Sequence, residues 1–505
     1  MKHRIIQRCP RIGHLDLLSI AARIEYLASN ISLTNWLMGF RKRLRKPIQY
    51  LFVVTLTAIF LQTPSRATDH SQFSVLHPIE RIAFSNDWRQ QTQRIVKQGA
   101  HIFVFFRLGS DPCGTIASNI SEIRYYTAYP TQITHPSSIG SRTGTYYEAL
   151  LPRTPDTCHL SHYVVAEWVP SSAKTAIFTY RNEQVRVETE LREPFRLPLR
   201  PFLVGVTNAY GVTGHCGGYC PKESEIGHSY AALLSKHHIQ PMQNWVEFPP
   251  VKNGLLDLDA GASERVSFRD LVVNYSIYGH IGFPRSRYYV EPIAYLKALE
   301  RTIHSEGLVG HAWVYVADEP TDMEALRNEL ALYRRHAPSV LTMVTTPYSA
   351  DLAKLVDIFA PVINHLGRRG KPRATAYHRH NLWLYASCME SCGPNRAAGP
   401  DLARRPGPDT GLPDFLIDRP ASRLFSFFSD AKALGARGAF YYEATEGYRL
   451  VADSVNLLED PWNFGGNGDG LLLYPGRPGE FGFDRHRPIP TVRLKLIRHA
   501  IENFW

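Results

Sequence analysis

The sequence predicts an α/β protein in which a (β/α)8 barrel, residues 200–505, follows an N-terminal β-sandwich, residues 75–195. The first domain has six short segments rich in Val, Ile, Phe, Tyr and Thr, and it has no convincing helix. Such strands, separated by turn residues, are typical of a β-sandwich. The second region alternates eight apolar strands with helical segments, which is typical of a (β/α)8 barrel.

The strands of the predicted sandwich include clear alternation of apolar and polar residues. Val185 and Val187 alternate with Arg186 and Glu188, so one face of that strand is expected to be buried. The six predicted strands are 101–107, 121–128, 145–150, 162–169, 175–181 and 184–191. A proline-rich stretch, 191–201, indicates the linker to the second domain.

Each barrel strand is predicted from a short apolar run. The predicted strands are 202–208, 239–243, 271–276, 312–317, 340–345, 358–363, 382–386 and 439–443. The predicted helices include 229–237, 292–305, 323–336 and 422–434. An open doubly wound sheet is the alternative. No glycine-rich nucleotide loop follows the first strand, and we therefore predict no nucleotide cofactor.

The formal charge of +11 would favour a nucleic-acid partner, but the location of the charge argues against one. Residues 1–67 contain 11 of the 57 Lys and Arg and 2 of the 46 Asp and Glu, a net charge of +9. The other 438 residues therefore carry a net charge of +2, which is too little for strong attraction to phosphate. We predict no nucleic-acid partner.

Residues 1–67 have the pattern of an export signal. A basic cluster, 41–46, precedes an apolar run, 51–61, and a small-residue exit near Ala67, as in a secretory signal peptide. The apolar run is too short to cross a bilayer as a helix, and Met38 is a better start for such a signal than Met1. We predict a secreted or periplasmic protein. The alternative is an uncleaved N-terminal anchor, which would make the membrane a partner.

Six cysteines follow the leader. They are Cys113, Cys158, Cys216, Cys220, Cys388 and Cys392. Their order along the chain suggests the disulfides Cys113–Cys158, Cys216–Cys220 and Cys388–Cys392, which suits an oxidising compartment. A zinc site built from the two closely spaced pairs is the alternative. We predict disulfides and no metal.

The candidate catalytic residues are the adjacent acids Asp318 and Glu319, which end a predicted barrel strand just before Pro320. In a (β/α)8 barrel the active site lies at the C-terminal ends of the strands, here called the mouth. Neighbouring strand residues point to opposite sides, so both acids reach one substrate only if the strand turns at this point. The alternative is that Asp318 caps the next helix and Glu319 is solvated.

Other polar and aromatic residues near predicted strand ends are candidate substrate-binding residues. They are Asn208, Asn274, Trp383, Tyr385, Tyr441 and Glu443. Trp383 and Tyr385 alternate on one strand and can stack on a pyranose ring; the alternative is that such aromatic residues fill the barrel. The two asparagines can bind sugar hydroxyls or cap the loops that follow their strands.

Three parts of the sequence together resemble the catalytic domain of glycoside hydrolase family 123 and the related domain of unknown function 4091. The first part is the segment Asp318-Glu319-Pro320. The second part consists of the two segments 382–385 and 417–420. The third part is the segment 460–476 together with the terminal segment 489–504. The resemblance spans residues 200–505, and the β-sandwich before it matches the family's layout.

The resemblance implies a retaining, substrate-assisted hydrolase of 2-acetamido hexosides, such as N-acetylgalactosaminides. In that scheme the sugar's own acetamido oxygen attacks the anomeric carbon, Glu319 is the general acid and base, and Asp318 orients the acetamido N–H; no cofactor takes part. Glu443 departs from the family pattern, which bears on the sugar that is bound. Two alternatives stay open: a hydrolase with Glu443 as nucleophile, and a glycan-binding protein without catalysis.

Overall fold

The computed structural model describes residues 81–83, 91–171, 175–206, 212–216, 223–242, 248–261, 267–363, 366, 374–377, 381–386, 409–451, 456–463 and 466–505. All of them belong to one compact unit, Phe73–Trp505. The predicted leader, 1–67, lies outside these residues, so export stays a prediction, as does the domain boundary near residue 200. Within the described ranges no helix is both long and apolar enough to cross a membrane.

Residues 81–194 form two β-sheets. Their elements are β1 (Arg81–Ala83), β2 (Gln91–Gln98), β3 (Ile102–Arg107), β4 (Ile116–Ser118), β5 (Arg124–Ile133), β6 (Gly144–Pro152), α1 (Pro155–Cys158), β7 (Tyr163–Trp168), β8 (Thr175–Tyr180) and β9 (Glu183–Pro194). One sheet has the order β1-β3-β7-β5-β6 and the other has the order β2-β9-β8-β4. Val104 and Val164 of the first sheet share a buried apolar cluster with Phe178 and Val187 of the second.

The first predicted disulfide is present. Cys113, which precedes β4, is bonded to Cys158 at the end of α1. Cys216 is also disulfide-bonded. Its predicted partner Cys220 and the predicted pair 388–392 lie outside the described residues.

The rest of the chain is built around a curled parallel sheet. Its elements are β10 (Phe202–Val204), α2 (Val212–Cys216), α3 (Glu223–Ser235), β11 (Gln240–Pro241), β12 (Val251–Lys252), β13 (Leu255–Leu256), β14 (Ile281–Phe283), α4 (Pro292–Ser305), β15 (Ala312–Asp318), α5 (Met323–His336), β16 (Leu341–Thr345), β17 (Ile358–Phe359), β18 (Asn381–Ala386), α6 (Ala421–Ala433), β19 (Gly438–Tyr441), β20 (Trp462–Asn463), β21 (Gly466–Asn467), β22 (Leu473–Gly476), β23 (Arg487–Pro490) and α7 (Val492–Asn503). The sheet has eight strands in the order β11-β10-β19-β18-β17-β16-β15-β14. Because β19 pairs in parallel with β10, the strands are wound as in a TIM-like half-barrel and not as in a doubly wound sheet.

Each strand of the curled sheet has an inner side and a helix-facing side. Leu203, Met343 and Phe440 belong to an apolar cluster that fills the inside of the sheet. Val314 and Leu384 belong instead to the large core shared with the surrounding helices. The inner cluster therefore forms the floor beneath the mouth.

One predicted barrel strand is wrong. The apolar run 271–276 is not a strand; a helical turn, Arg269–Val273, occupies it, and β14 begins only at Ile281. Leu271 packs with Ala231 of α3, and a short buried apolar run has the same pattern in a helical turn and in a strand. Asn274 therefore follows a helical turn, not a strand end.

The side chain of Gln240 bridges the edges of the curled sheet, where the described residues have no backbone ladder between β11 and β14. The Gln240 side-chain amide is buried, and its Nε2 donates a hydrogen bond to the carbonyl oxygen of His280. Its Oε1 accepts hydrogen bonds from the Ser276 hydroxyl at 3.3 Å and the Tyr278 N–H at 3.4 Å. The Gln240 amide thus provides hydrogen bonds at an edge where the backbone of a neighbouring strand would otherwise provide them.

The C-terminal helix α7 ties the N-terminal sheets to the curled sheet through buried charges. Arg493 pairs with Glu148 of β6 at 2.6 Å. Lys495 and Arg498 both pair with Glu167 of β7, the former at 3.0 Å. These charges are buried and mutually compensated, so removal of one partner is expected to destabilise the fold strongly.

We expect Gln240→Ala to lower the free energy of unfolding by about 1–3 kcal/mol, because it leaves buried polar groups without their partner. Urea denaturation followed by circular dichroism measures the change. Gln184→Ala, at an exposed position of β9, is the control and should stay within about 0.5 kcal/mol of the unaltered protein. Equal effects of the two substitutions would show that Gln240 does not hold the open edges together.

Candidate active site

A bulge in β15 determines where the side chain of Asp318 points. Trp313 and Tyr315 face the inside of the curled sheet, and regular alternation would place Asp318 on the opposite side. The register with β16 shifts between Tyr315 and Ala317. Such a bulge re-aims the residues after it, and the Tyr315 hydroxyl donates a 2.5 Å hydrogen bond to Asp318 Oδ1. Asp318 therefore reaches the mouth of the barrel.

The chain turns immediately after Asp318, as joint use of the two acids requires. Glu319 has a φ of 39°, in the left-handed region that non-glycine residues rarely adopt. The Tyr385 hydroxyl of β18 donates a 2.5 Å hydrogen bond to Glu319 Oε1. Since the Tyr385 and Tyr315 rings both contact Phe440 inside the sheet, the two acids meet at the same end of the barrel.

Thr345, the last residue of β16, couples the two acids. Its Oγ1 donates a hydrogen bond to Asp318 Oδ1 at 2.9 Å and accepts one from the Glu319 backbone N–H at 2.7 Å. The residue is buried. The same hydroxyl thus orients the carboxylate of Asp318 and fixes the backbone turn that carries Glu319.

Both tyrosines are neutral hydrogen-bond donors. Burial raises the pKa of Tyr315, and the nearby Asp318 carboxylate raises it further. Burial likewise raises the pKa of Tyr385, together with the charge of Glu319. Asp318 and Glu319 are exposed, whereas Tyr385 is buried and Tyr315 is half-buried, so the acids are held from below and open to a ligand above.

The alternative in which Asp318 caps the following helix is wrong. Asp322 is the N-cap of α5, and its Oδ1 accepts hydrogen bonds from the N–H groups of Glu324 and Ala325 at 3.1 and 3.0 Å. The cap position is therefore filled four residues downstream. Asp318 has no role in starting the helix.

Trp383 lies below the mouth. It is 2% exposed and packs edge-on against Trp313 with ring centroids 5.8 Å apart. Gly438 on the adjacent strand makes room for it, since a Cβ there would lie 2.6 Å from the Trp383 ring. This position fits the alternative of barrel filling. Of the two aromatic residues predicted on β18, Tyr385 contacts a candidate acid.

Tyr441, the last residue of β19, and Glu443, two residues after it, are both buried. The Tyr441 hydroxyl donates to Asp469 Oδ1 at 3.1 Å and accepts from the Gly470 N–H at 2.7 Å. Glu443 Oε1 accepts three hydrogen bonds from its own loop, two of them from the Thr445 N–H and hydroxyl. Burial raises the pKa of Glu443 to about 7. Both side chains hold loops in place.

Of the two predicted asparagines, Asn274 lies within the described residues and does not join the acids. Asn208 lies outside the described residues. Asn274 is exposed after the helical turn, where its Nδ2 is 3.5 Å from Asp270 Oδ1. Its predicted position at a strand end is wrong, because the strand begins farther along the chain.

Sequence reasoning missed Tyr315 and Thr345. Tyr315 stands three residues before Asp318, an odd spacing that predicts opposite faces when the bulge is not known. Thr345 could have been found, because it ends the strand after β15 and strand ends meet at the mouth.

One group of side chains in the described ranges has the geometry to hold a metal ion: His101, His238 and Glu502. Glu502 Oε1 lies 2.7 Å from His101 Nδ1 and 3.0 Å from His238 Nε2. Burial opposes ionisation of Glu502, but hydrogen bonds from the two histidines lower its pKa to about 2. The three side chains satisfy one another by hydrogen bonding, and Arg498 on the same helix interacts electrostatically with Glu502. The group thus functions as a link between β3, the end of α3 and α7.

Comparison with known proteins shows the fold. No protein-family model matches the chain, and no curated protein sequence matches it. Among solved structures, the chain is similar to a family 123 glycoside hydrolase from Clostridium perfringens, a structure that concerns glycolipid glycan hydrolysis. The identity is 11%, the TM-score is 0.52, and the match covers 82% of this chain and 83% of that one. The resemblance found in the sequence is thereby confirmed at the level of the fold.

A second solved structure is matched more weakly. It is active domain 2 of a chitinase from Pyrococcus furiosus, with 10% identity and a TM-score of 0.26. The match covers 49% of this chain and 84% of that one, and we draw nothing from it.

Glu443→Gln should stabilise the protein increasingly as the pH rises from about 4.5 to about 7. Between these values the unfolded chain loses the Glu443 proton while the folded protein keeps it, so the unaltered protein becomes less stable as the pH rises. Glutamine has no such proton and can still accept the hydrogen bonds of the loop. Melting temperatures of both proteins at the two ends of this pH range measure the effect. The exposed substitution Glu324→Gln is the control, and a pH-independent difference for Glu443→Gln would refute the assignment.

Proposed function

We propose that the protein is a glycoside hydrolase that cleaves 2-acetamido-2-deoxy hexosides with Glu319 as general acid and base and Asp318 as the residue that orients the acetamido group. The observation that carries the proposal is the pair of adjacent, exposed carboxylates at the mouth of the TIM-like curled sheet, each hydrogen-bonded by a tyrosine from inside the sheet. The fold shared with a family 123 glycoside hydrolase supports the reaction class.

Among the described residues, the hydrogen bonds leave one oxygen of each acid for the substrate. Tyr315 and Thr345 both bind Oδ1 of Asp318, and Tyr385 binds Oε1 of Glu319. Oδ2 of Asp318 can then accept the acetamido N–H. Oε2 of Glu319 can carry the proton for the leaving oxygen. The two tyrosines thus orient the acids without competing for the atoms that react.

The nucleophile of the proposed reaction is the substrate's own acetamido oxygen. That oxygen bonds to the anomeric carbon while the bond to the leaving oxygen breaks and Glu319 gives this oxygen its proton. Asp318 stabilises the positive charge of the oxazolinium ring. Glu319 then removes a proton from water, the water oxygen bonds to the anomeric carbon, and the bond from that carbon to the acetamido oxygen breaks, which restores the acetamido group and retains the configuration. Because the acetamido group must attack from the face opposite the leaving group, the scheme favours 1,2-trans glycosides.

Glu443 is a poor candidate for a protein nucleophile. It is 3% exposed, and its Oε1 already accepts three hydrogen bonds. A nucleophilic carboxylate must instead contact the anomeric carbon. Its burial favours the substrate-assisted scheme over the alternative with Glu443.

We also infer that the two N-terminal sheets form a β-sandwich in front of the barrel and that the protein is exported. The apolar cluster shared by β3, β7, β8 and β9 supports the sandwich. The disulfide Cys113–Cys158 supports an oxidising compartment. N-terminal sequencing of protein secreted by a host cell tests export and locates the cleavage site.

Glu319→Gln should lower kcat/KM by about 10²–10⁴-fold on a methyl 2-acetamido-2-deoxy-β-hexoside, because general acid catalysis is lost. The loss should be smaller on a 4-nitrophenyl glycoside, whose leaving group needs less protonation. Asp318→Asn should lower the rate on both. Glu324→Gln, an exposed acid on α5, is the matched control and should keep full activity.

Near-normal rates in both acid variants would mean that the pair is not catalytic. Binding of a 2-acetamido glycan by the unaltered protein without any hydrolysis would favour the alternative of a glycan-binding protein. Circular dichroism of each variant tests whether the fold survives. We expect that it does, because the two side chains are exposed.

A further inference from the structure

We propose that the turn after β14, residues 285–288, binds an oxyanion group, a carboxylate or a sulfate ester, on the sugar that adjoins the one held by Asp318 and Glu319. This inference rests on the proposed function for the identity of the sugar at the two acids. It assigns the substrate class that the site prefers, an acidic glycan.

Arg285 places a positive charge beside the catalytic pair. Its guanidinium lies 4.8 Å from the centre of the Tyr315 ring, and the Tyr315 hydroxyl is bound to Asp318. The side chain is half-buried, but within the described residues it forms neither an ion pair nor a hydrogen bond. Its planar fork of donors is therefore free for a ligand at the mouth.

Arg287, two residues later, adds a second guanidinium that has no ion pair in the part of the chain that the structure describes. It lies 5.5 Å from the centre of the Tyr288 ring and is exposed. Glu329 on α5 interacts electrostatically with Arg285 and Arg287, yet no ion pair joins it to either in the described structure. Two guanidinium groups on one turn, both held by aromatic rings, suit a planar or tetrahedral oxyanion.

The turn is rigid, which favours binding by preorganised groups. Ser286, between the two arginines, is buried, and its backbone N–H donates to the Tyr333 hydroxyl at 2.7 Å. The next residue after the turn, Tyr289, stacks on Tyr295 of α4 with ring centroids 3.8 Å apart. The backbone that carries the arginines is thus anchored between them, at Ser286, and directly after the turn, at Tyr289.

An exposed aromatic pair continues the surface away from the acids. Tyr288 is 52% exposed and Phe248 is 46% exposed, and their rings stack with centroids 5.4 Å apart. The Tyr289 hydroxyl donates to the Pro249 carbonyl at 3.1 Å and so joins the two loops. Exposed aromatic faces pack well against the C–H face of a sugar ring.

The arginines and the aromatic pair together indicate a sugar with a charged substituent. Residues 285 and 288 are at most about 11 Å apart along the chain, a distance that a disaccharide spans. An apolar aglycone would use the aromatic pair and leave the guanidinium groups without a partner. An acidic sugar uses both.

The test measures binding in the Glu319→Gln protein, so that it does not depend on turnover. The probe is a 2-acetamido-2-deoxy-β-hexosyl disaccharide whose second sugar is a hexuronic acid, compared with the same disaccharide reduced to the alcohol. A second pair compares a sulfated with an unsulfated neutral second sugar. Titration calorimetry should give at least tenfold tighter binding of the charged member of one or both pairs. The pair that shows it identifies carboxylate or sulfate as the ligand.

Adding Arg285→Gln should reduce that ratio of affinities to near one, whereas adding Arg327→Gln, at an exposed position of α5, should leave it unchanged. The ratio should also fall when salt is raised from about 0.05 to about 0.5 M, because the ionic contact is screened. If the charged and the uncharged member of each pair bind with nearly equal affinity, the inference is overturned. It is also overturned if an octyl 2-acetamido glycoside binds more tightly than every charged disaccharide does. If the unaltered protein hydrolyses none of these compounds while the ratio still depends on Arg285, the proposed function fails and the oxyanion site stands.

Discussion

The hydrogen bond from Tyr315 to Asp318 exists because β15 carries a bulge, and the rest of the site depends on it. Without the register shift before Ala317, Asp318 would face the surrounding helices and Glu319 would stand alone at the mouth. The shift costs a regular ladder with β16, and the Thr345 hydroxyl compensates by binding both the carboxylate and the next backbone N–H. The unfavourable left-handed backbone of Glu319 is typical of strain retained at a functional site.

The sequence was sufficient to predict the parallel barrel winding, the helices 292–305 and 323–336, the Cys113–Cys158 disulfide, and the strand end that carries the two acids. These features follow from local periodicity, composition and one short motif. It was not sufficient for the orientation of Asp318, because a bulge leaves no mark on the pattern of apolar residues. It also misassigned 271–276, since a buried helical turn and a short buried strand have the same composition.

Several segments that carried the resemblance are structural. Asn467 binds Asp418 at 3.1 Å, and Arg493 donates hydrogen bonds to the carbonyl oxygens of Gly468 and Phe415 at 2.7 Å each. These contacts join the C-terminal motif to the loop before α6 and to α7. The pattern therefore reflects a buried polar network that positions the barrel.

We propose that Asp318 and Glu319 act on one substrate whose acetamido group is the nucleophile. Inhibition by a thiazoline mimic of the oxazolinium intermediate tests it most directly. We predict competitive inhibition of the unaltered protein with an inhibition constant at least a hundredfold below KM, as expected of an analogue of a high-energy intermediate, and much weaker inhibition of Asp318→Asn. Hydrolysis of 2-acetamido hexosides that the thiazoline does not inhibit would contradict the account.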